Sequence, residues 1–440
     1  MASFMDRVSE GFNNWMDLAN HTPKPADHIR DEFMADLARF YEDGTEPARA
    51  SFDMRYYLHQ HEKRLAEKGV KIQRRYTPDP KGVKHSVSRQ RPPYTSDLAF
   101  IDITSSSQYT SVASSKILQK HKKATSIFYA NVLDRQDLKD AAYVCPNCGH
   151  QATLEIFSNG CPMCGTRFQM SQLFPCVSNF YMLPQMVSSK TTSWLKPTVI
   201  TMALLIAFGL GGYTTFSQWN SVDSHTIAIV MGAGATLLGG FLGAVISYLT
   251  CSIFLAFFMF GRMATQAVTT VDTQTAALTK KSLTNAMKRF DPEFSYEFFE
   301  GKVLSLFRAI VFSEDRANMS IYRGEPNIPD LDNIIDVSYR GAMKFLNLTV
   351  QNGNDLVLLV RVYLYNTYLI NGKIVQKKED FNMTLVKKLT AQENLGFSIH
   401  AVNCKSCAAS FDAMHLLQCP SCGAPYHLEE EDWVVVGMKR

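Results

Sequence analysis

The chain lacks charge over two long stretches. No Lys, Arg or Glu lies between residues 197 and 222, and no charged residue of either sign lies between Ile227 and Phe260. Runs of that length argue against a protein whose whole surface faces water, with a buried helical hairpin in a soluble protein as the alternative. An apolar run at the start is also missing: residues 1–20 are acidic and polar, so no signal peptide is expected there. Strong net charge is absent too, since +4 over 440 residues is too small to argue for nucleic acid. Cysteine outside paired motifs is scarce. Eight of the ten cysteines form four Cys-x-x-Cys pairs, which excludes a secreted disulfide framework and argues for metal in a reducing compartment.

What is there begins with the uncharged runs. Pro197 to Phe216 supplies twenty residues, enough at about 1.5 Å per residue to cross the hydrocarbon core as a helix. Ile227 to Phe260 exceeds one bilayer thickness, so it is expected to tilt or to continue past the membrane face. Small residues recur every four positions, at Ala203, Ala207 and Gly211 and again at Gly232, Thr236, Gly240 and Ala244. Such stripes allow close helix contact in lipid and predict a two-span transmembrane hairpin, with a dimer seam as the competing use. The loop Ser217 to Thr226 has no Lys or Arg, whereas Lys190, Lys196, Arg262, Lys280, Lys281, Lys288 and Arg289 flank the pair. That asymmetry predicts a multi-pass protein of the cell (inner) membrane with both termini cytosolic. No ionisable residue lies inside either run, so the segment reads as an anchor.

Cys145, Cys148, Cys161 and Cys164 are spaced Cys-x2-Cys-x12-Cys-x2-Cys; Cys404, Cys407, Cys419 and Cys422 are spaced Cys-x2-Cys-x11-Cys-x2-Cys. Each short turn presents two thiolates, and two turns close a tetrahedral site with no open position. Two structural zinc ions are expected, with rubredoxin-like iron as the alternative. Cys176 and Cys251 are left over, and His150 beside the first pair is superfluous once four thiolates bind.

Beyond the membrane runs, Met263 to Lys288 has a helical composition. Ser295 can then cap a helix with Phe299, Val303, Leu306, Phe307 and Ile310 on one face. Strands are expected at Tyr339 to Val350, Leu356 to Leu369, Phe381 to Lys388 and Trp433 to Met438, with turns at Asn352-Gly353 and Asn371-Gly372. The second ribbon is expected as an insertion, the last strand returning beside Phe381 to Lys388. Phe-Asp-Pro-Glu-Phe at 290–294, the following helix, Ile335-Asp336-Val337 and the closing Asp432-Trp433-Val434 resemble the C-terminal domain of the forty-four-kilodalton subunit of the mitochondrial inner-membrane translocase. Bacterial membrane proteins carry similar domains, often with a zinc ribbon before the last strand. The resemblance spans about residues 265–440 and implies a cone-shaped α+β fold like nuclear transport factor two, with a deep apolar pocket. In the mitochondrial relative the domain docks at the membrane and helps recruit the import motor. This chain has no recognisable motor-recruiting segment.

Residues 1–60 hold 11 acidic and 6 basic residues, and residues 61–125 hold 14 basic and 5 acidic. Helices are expected around Asp27 to Tyr41 and Pro47 to Lys68. The basic stretch through Lys71, Arg74, Arg75, Lys81, Lys84, Arg89 and Arg91 reads as loop-rich. It suits pairing with the acidic part or anionic lipid headgroups; sparse aromatics make nucleic acid unlikely as a partner.

The fold class is thus a multidomain membrane protein. It comprises a partly helical cytosolic region (1–140), a first zinc ribbon (141–183), two transmembrane helices (197–260) and an α+β cone domain (265–440) with a second ribbon at 402–424. The function expected is a membrane-anchored cytosolic binding or scaffold protein, linked to protein transport or membrane-complex assembly. Its partner would be a protein, or a lipid, engaged through the cone pocket or a sheet face where Tyr363 and Tyr365 lie. The alternative is a lipid- or small-ligand-binding cone domain with enzymatic activity. Between Tyr339 and Lys388 that alternative has only Arg340, Asp355, Arg361 and Asp380 to draw on, with no His. No catalytic residue is assigned, and the oligomeric state is open.

Overall fold

The computed structural model describes residues 24–79, 84–135, 142–145, 148–153, 156, 161–165, 174–184, 195–219, 221, 225–239, 241, 243, 278–391 and 399–440. The chain forms two compact units, Met1–Pro184 with Asp272–Arg440, and Gln185–Val271.

The first unit contains one strand topology twice. In its N-terminal half, α1 (Pro25–Asp43) begins with a proline, whose missing N–H costs nothing in a first turn. Phe33, Leu37, Phe40 and Tyr41 recur at helical spacing and are buried. Ser51 caps α2 (Phe52–Glu67), its hydroxyl accepting from the Met54 amide at 3.2 Å. Then come β1 (Val70–Pro78), β2 (Lys84–Arg91), β3 (Tyr94–Ser111) and β4 (Ile117–Arg135). The basic stretch expected to be loop-rich is therefore β1 and β2, both antiparallel to β3. In β1, Val70 and Ile72 point inward while Lys71, Gln73 and Arg75 point outward, so two aliphatics suffice to fix the strand's face. Lys81 lies outside the described residues.

After β4 the chain makes the first four-cysteine segment, with β5 (Ala142–Val144) and β6 (Gln151–Thr153), and returns as β7 (Cys176–Pro184) antiparallel to β4. The first ribbon is an insertion between neighbouring strands, so the sheet begun within residues 1–140 is completed by 176–184. Of the two leftover cysteines, Cys176 is buried in β7 and Cys251 lies outside the described residues.

The C-terminal half repeats the plan. Helix α5 (278–287) precedes α6 (Tyr296–Phe312), whose Ser295 hydroxyl accepts from the Phe298 amide; the rest of the Met263 to Lys288 stretch is largely outside the described residues. Strands β8 (Ile334–Gln351), β9 (Asp355–Ile370) and β10 (Lys373–Lys388) lead to the second ribbon, with β11 (Val402–Asn403) and β12 (Ser410–Phe411). Then β13 (Val434–Lys439) pairs antiparallel with β10, as expected of the last strand. Asn371 and Gly372 both take the left-handed conformation that a two-residue hairpin turn demands, at φ 50° and 71°. The two sheets run β1-β3-β4-β7 and β13-β10-β9-β8, so each ribbon lies between a long strand and the strand that returns beside it. Each returning strand also takes a parallel bridge from a segment downstream of a helix, Ala50 to Val177 and Tyr322 to Val435.

The halves interlock through buried polar groups. Arg74 Nη2 donates to Asp336 Oδ2 at 2.5 Å, and Tyr109 OH donates to the same oxygen at 3.1 Å. His61 Nε2 lies 2.8 Å from the Ile335 carbonyl, which fixes the proton on that nitrogen. Arg308 Nη1 of α6 donates to Asn179 Oδ1 and to the Phe180 carbonyl of β7.

In the second unit, α3 (Leu195–Gln218) is the one described helix long and apolar enough, by length and composition, to cross a membrane. Helix α4 (His225–Gly239) is apolar but shorter, and most of the run from Gly240 to Phe260 lies outside the described residues. The two helices touch where small residues were expected to meet. A Cβ on Gly211 would overlap Thr236 Oγ1, and one on Gly232 would overlap Thr215 Oγ1. Both threonine hydroxyls donate back to glycine carbonyls of their own helices, Thr215 to Gly211 and Thr236 to Gly232.

Candidate metal centres

The eight paired cysteines meet as two groups of four. Within each group the ligand sulfurs all lie within 4.8 Å of one another. Cys145 and Cys164 are 3.6 Å apart, as are Cys148 and Cys161; in the second group Cys404–Cys422 is 3.6 Å and Cys407–Cys419 is 3.7 Å. A tetrahedron with metal–sulfur bonds of about 2.3 Å has edges of about 3.8 Å. A disulfide would bring two sulfurs to about 2.05 Å. The spacing therefore fits a shared tetrahedral ion, and the four thiolates of each group can hold one.

The backbone explains how each pair is presented. Gly149 donates its N–H to Cys145 O at 2.8 Å, and Gly165 to Cys161, Ala408 to Cys404 and Gly423 to Cys419 repeat the bond. That turn needs a positive φ at its last residue, which is 74°, 70°, 59° and 74° in the four cases. Three of the four positions are glycine; Ala408 is the exception and bears the strain of a side chain there. Cys145 N donates to His150 O, as Cys404 N does to Ala409 O and Cys419 N to Ala424 O. His150 thus serves the first turn through its backbone and is not among the four ligands.

The two ribbons differ in their attachment. The second is part of the core: Val402, Phe411, Ala413 and Met414 are at most 4% exposed, and Cys404 and Cys419 join the same cluster. Ser320 binds it twice, with its hydroxyl donating to Ala413 O at 2.6 Å and its amide donating to Met414 O at 2.8 Å. Tyr56 of α2 packs against His400 in a tilted arrangement with centroids 4.9 Å apart. By contrast, none of the described residues between 142 and 165, which carry the first four cysteines, joins the core cluster; within the expected 141–183 only β7 does, through Val177, Phe180 and Tyr181. Val144, Ile156 and Met163 there are 56%, 50% and 71% exposed.

Outside the ribbons, burial shifts several ionisable groups, His61 and Glu300 among them. Burial pushes the His61 imidazole down to about 4, against the attraction of Asp336. Burial likewise pushes the Glu300 carboxyl up to about 7, although the hydroxyls of Tyr339 (2.5 Å) and Tyr296 (3.1 Å) donate to its Oε1. Burial also opposes ionisation of Asp336, but Arg74 beside it outweighs that and holds its carboxyl below the usual range. Sequence reasoning missed this cluster because Arg74 and Asp336 are 262 positions apart. Of the residues it did name, Tyr363 and Tyr365 share a half-buried sheet face on which the Arg340 guanidinium lies, 5.2 and 5.6 Å from their ring centroids. A groove of about 330 Å³ runs between α1, α2 and β1, and a polar cavity of about 230 Å³ lies between the halves beside Arg74, His121 and Asp336.

Comparison with protein-family models, with curated proteins and with solved structures finds no match to this chain.

Proposed function

We propose that the protein is a membrane-anchored binding scaffold. In this reading α3 and the following apolar run cross the bilayer as a hairpin, and the first unit stands in the cytosol with zinc in both ribbons. The observation that carries it is the asymmetry between the ribbons. A four-thiolate ion has no position for substrate, so its contribution is to shape the peptide around it. At the second site that shaping serves the fold, because Val402, Phe411, Ala413 and Met414 are buried against the core, although Leu416 and Leu417 of the same ribbon are exposed. At the first it leaves Val144, Ile156 and Met163 facing solvent, apolar side chains available to a protein partner. The first ribbon is thus the docking element, and the doubled sheet domain is the platform that carries it. The resemblance of residues 265–440 to a translocase domain points the same way, toward protein transport or membrane-complex assembly.

The test is photo-crosslinking in cells from a benzoyl-phenylalanine placed at Met163, compared with one at Ser421 on the second ribbon. Discrete adducts from position 163 that disappear on adding Val144→Glu would support the reading. Adducts from 421 alone, or none from either position, would refute it. The enzymatic alternative has one observation in its favour, the Glu300 carboxyl near 7 between two tyrosine hydroxyls. Glu300 is only 8% exposed and does not line either cavity described above.

A further inference from the structure

The outer face of the N-terminal sheet carries an unbalanced positive strip. Residues 103–133 include four lysines and no acidic residue. The strand registers gather cations from three strands onto one face. Gln73 of β1 pairs with Gln108 of β3, which pairs with Lys120 of β4; Lys71 and Arg75 flank Gln73 on the same side of β1. The register shift in β4 falls between His121 and Ala124, so Lys123 bulges opposite Ser106, the partner of Arg75. Lys71, Arg75, Lys120 and Lys123 are all exposed, and the last three form no ion pair with a described residue. Arg74 and His121 point to the opposite face, into the cavity between the halves. The acids Glu42, Asp43 and Glu62 line the groove on the helix side of β1, which Lys71 and Val112 also line, and Lys71 Nζ donates to the Glu42 carbonyl at 3.0 Å; the strip therefore rests on Arg75, Lys120 and Lys123.

A second feature adjoins the strip. The hairpin joining β3 to β4 carries Val112 and Ile117, which are 62% and 50% exposed, with Lys116 between them. Apolar side chains at a tip beside a patch of lysines match the boundary of an anionic bilayer, where headgroup charge and hydrocarbon lie a few ångströms apart. Single-stranded nucleic acid would call for aromatic rings on the face, and Lys71, Gln73, Arg75, Gln108 and Lys120 include none. Pro184 at the end of β7 is joined to Leu195 of α3 by only ten residues, a reach of about 35 Å when fully extended.

We propose that this face, with the β3–β4 hairpin as its apolar edge, docks onto anionic phospholipid headgroups. The inference rests on the membrane-anchored reading for its setting, because a tethered face meets the bilayer at high effective concentration. The contact would hold the platform against the surface while leaving the first ribbon free for its partner.

The experiment uses the full chain inserted in nanodiscs of phosphatidylcholine alone. These are mixed with floating vesicles, either phosphatidylcholine or phosphatidylcholine with 30% phosphatidylglycerol. Insertion into the nanodisc reports on the anchor by itself, so failure of that reading is seen before any vesicle is added. Flotation is expected only with the anionic vesicles, and it should be lost in high salt. A basic residue near such a surface contributes about 1 kcal/mol, or about five-fold in affinity. Lys120→Glu with Lys123→Glu should therefore weaken binding by at least about 25-fold, whereas Lys120→Arg with Lys123→Arg should retain it. Ile117→Ser should weaken it by about ten-fold or more through the lost apolar contact. Unchanged zinc content and circular dichroism exclude misfolding. Equal flotation on both vesicle types, or full binding by the double glutamate variant, would overturn the proposal. So would tighter binding of a 20-nucleotide single-stranded DNA that displaces the vesicles.

Discussion

Removing the two metals should have unequal consequences. Cys404→Ser with Cys407→Ser takes two ligands from the second ribbon, and Cys145→Ser with Cys148→Ser takes two from the first. At the second site a bound ion would hold in place Val402, Phe411 and Met414, which are 4%, 4% and 3% exposed. Burying each such side chain is worth about 1.5–3 kcal/mol, so releasing three costs about 5–9 kcal/mol. That is comparable to the whole stability of a domain, about 5–15 kcal/mol. The first ribbon's described residues between 142 and 165 have no such contacts with the core, so its loss should leave the sheets intact. The assay is thermal unfolding of each purified variant in detergent, followed by circular dichroism and by tryptophan fluorescence, to which Trp433, buried against Phe299, contributes. Cys404→Ser/Cys407→Ser should unfold at least 10 °C below wild type or fail to accumulate. Cys145→Ser/Cys148→Ser should stay within about 2 °C while losing one metal ion. Equal shifts in the two variants would refute the distinction between a built-in and a projecting ribbon.

Three further outcomes follow from individual residues. Ala408→Gly removes a side chain from a left-handed position at φ 59° and should stabilise the second ribbon by about 1 kcal/mol, measured as slower metal loss to a chelator. Asp336→Ala leaves Arg74 buried without its carboxylate and should cost about 3–5 kcal/mol in urea unfolding; a change below 1 kcal/mol would mean the pair does not hold the halves together. Glu300 has a folded-state pKa raised to about 7 from an ordinary 4.5, so its stability is full below 4.5 and is lost as pH rises through 7. The loss is about 3 kcal/mol. Glu300→Gln, which stays neutral, should gain on wild type between pH 5 and pH 8, and parallel pH profiles for the two proteins would contradict the assignment.

How much of this was legible in the sequence depended on the distance over which each feature is fixed. Local signals were readable: Ser295 as a cap, Phe299 to Ile310 on one helix face, Asn371-Gly372 as a turn and the cysteine spacings as ribbons. The C-terminal strand order and the insertion of the second ribbon also followed, because Trp433 and the residues after it are too apolar to lie outside a sheet. Strands β1 and β2 were hidden. Their inward faces need few aliphatics, and Lys71, Arg74 and Arg75 dominate the composition. The repeat of one topology was hidden for a different reason. β4 meets β7 across the whole first ribbon, with Leu133 opposite Cys176, and no local pattern encodes a pairing of that span. The buried Arg74–Asp336–His61 cluster joins the two halves and becomes visible only once both are folded. In the second unit, three residues of the small-residue stripes, Gly211, Gly232 and Thr236, lie at the contact between the two described helices, together with Thr215, which the stripes did not include.

The most direct test of the central claim is metal analysis combined with X-ray absorption on the purified full chain. Two zinc ions per chain, each with four sulfur neighbours at about 2.3 Å, are predicted. Iron in place of zinc, a nitrogen or oxygen neighbour, or fewer than two ions per chain would contradict a pair of closed structural ribbons.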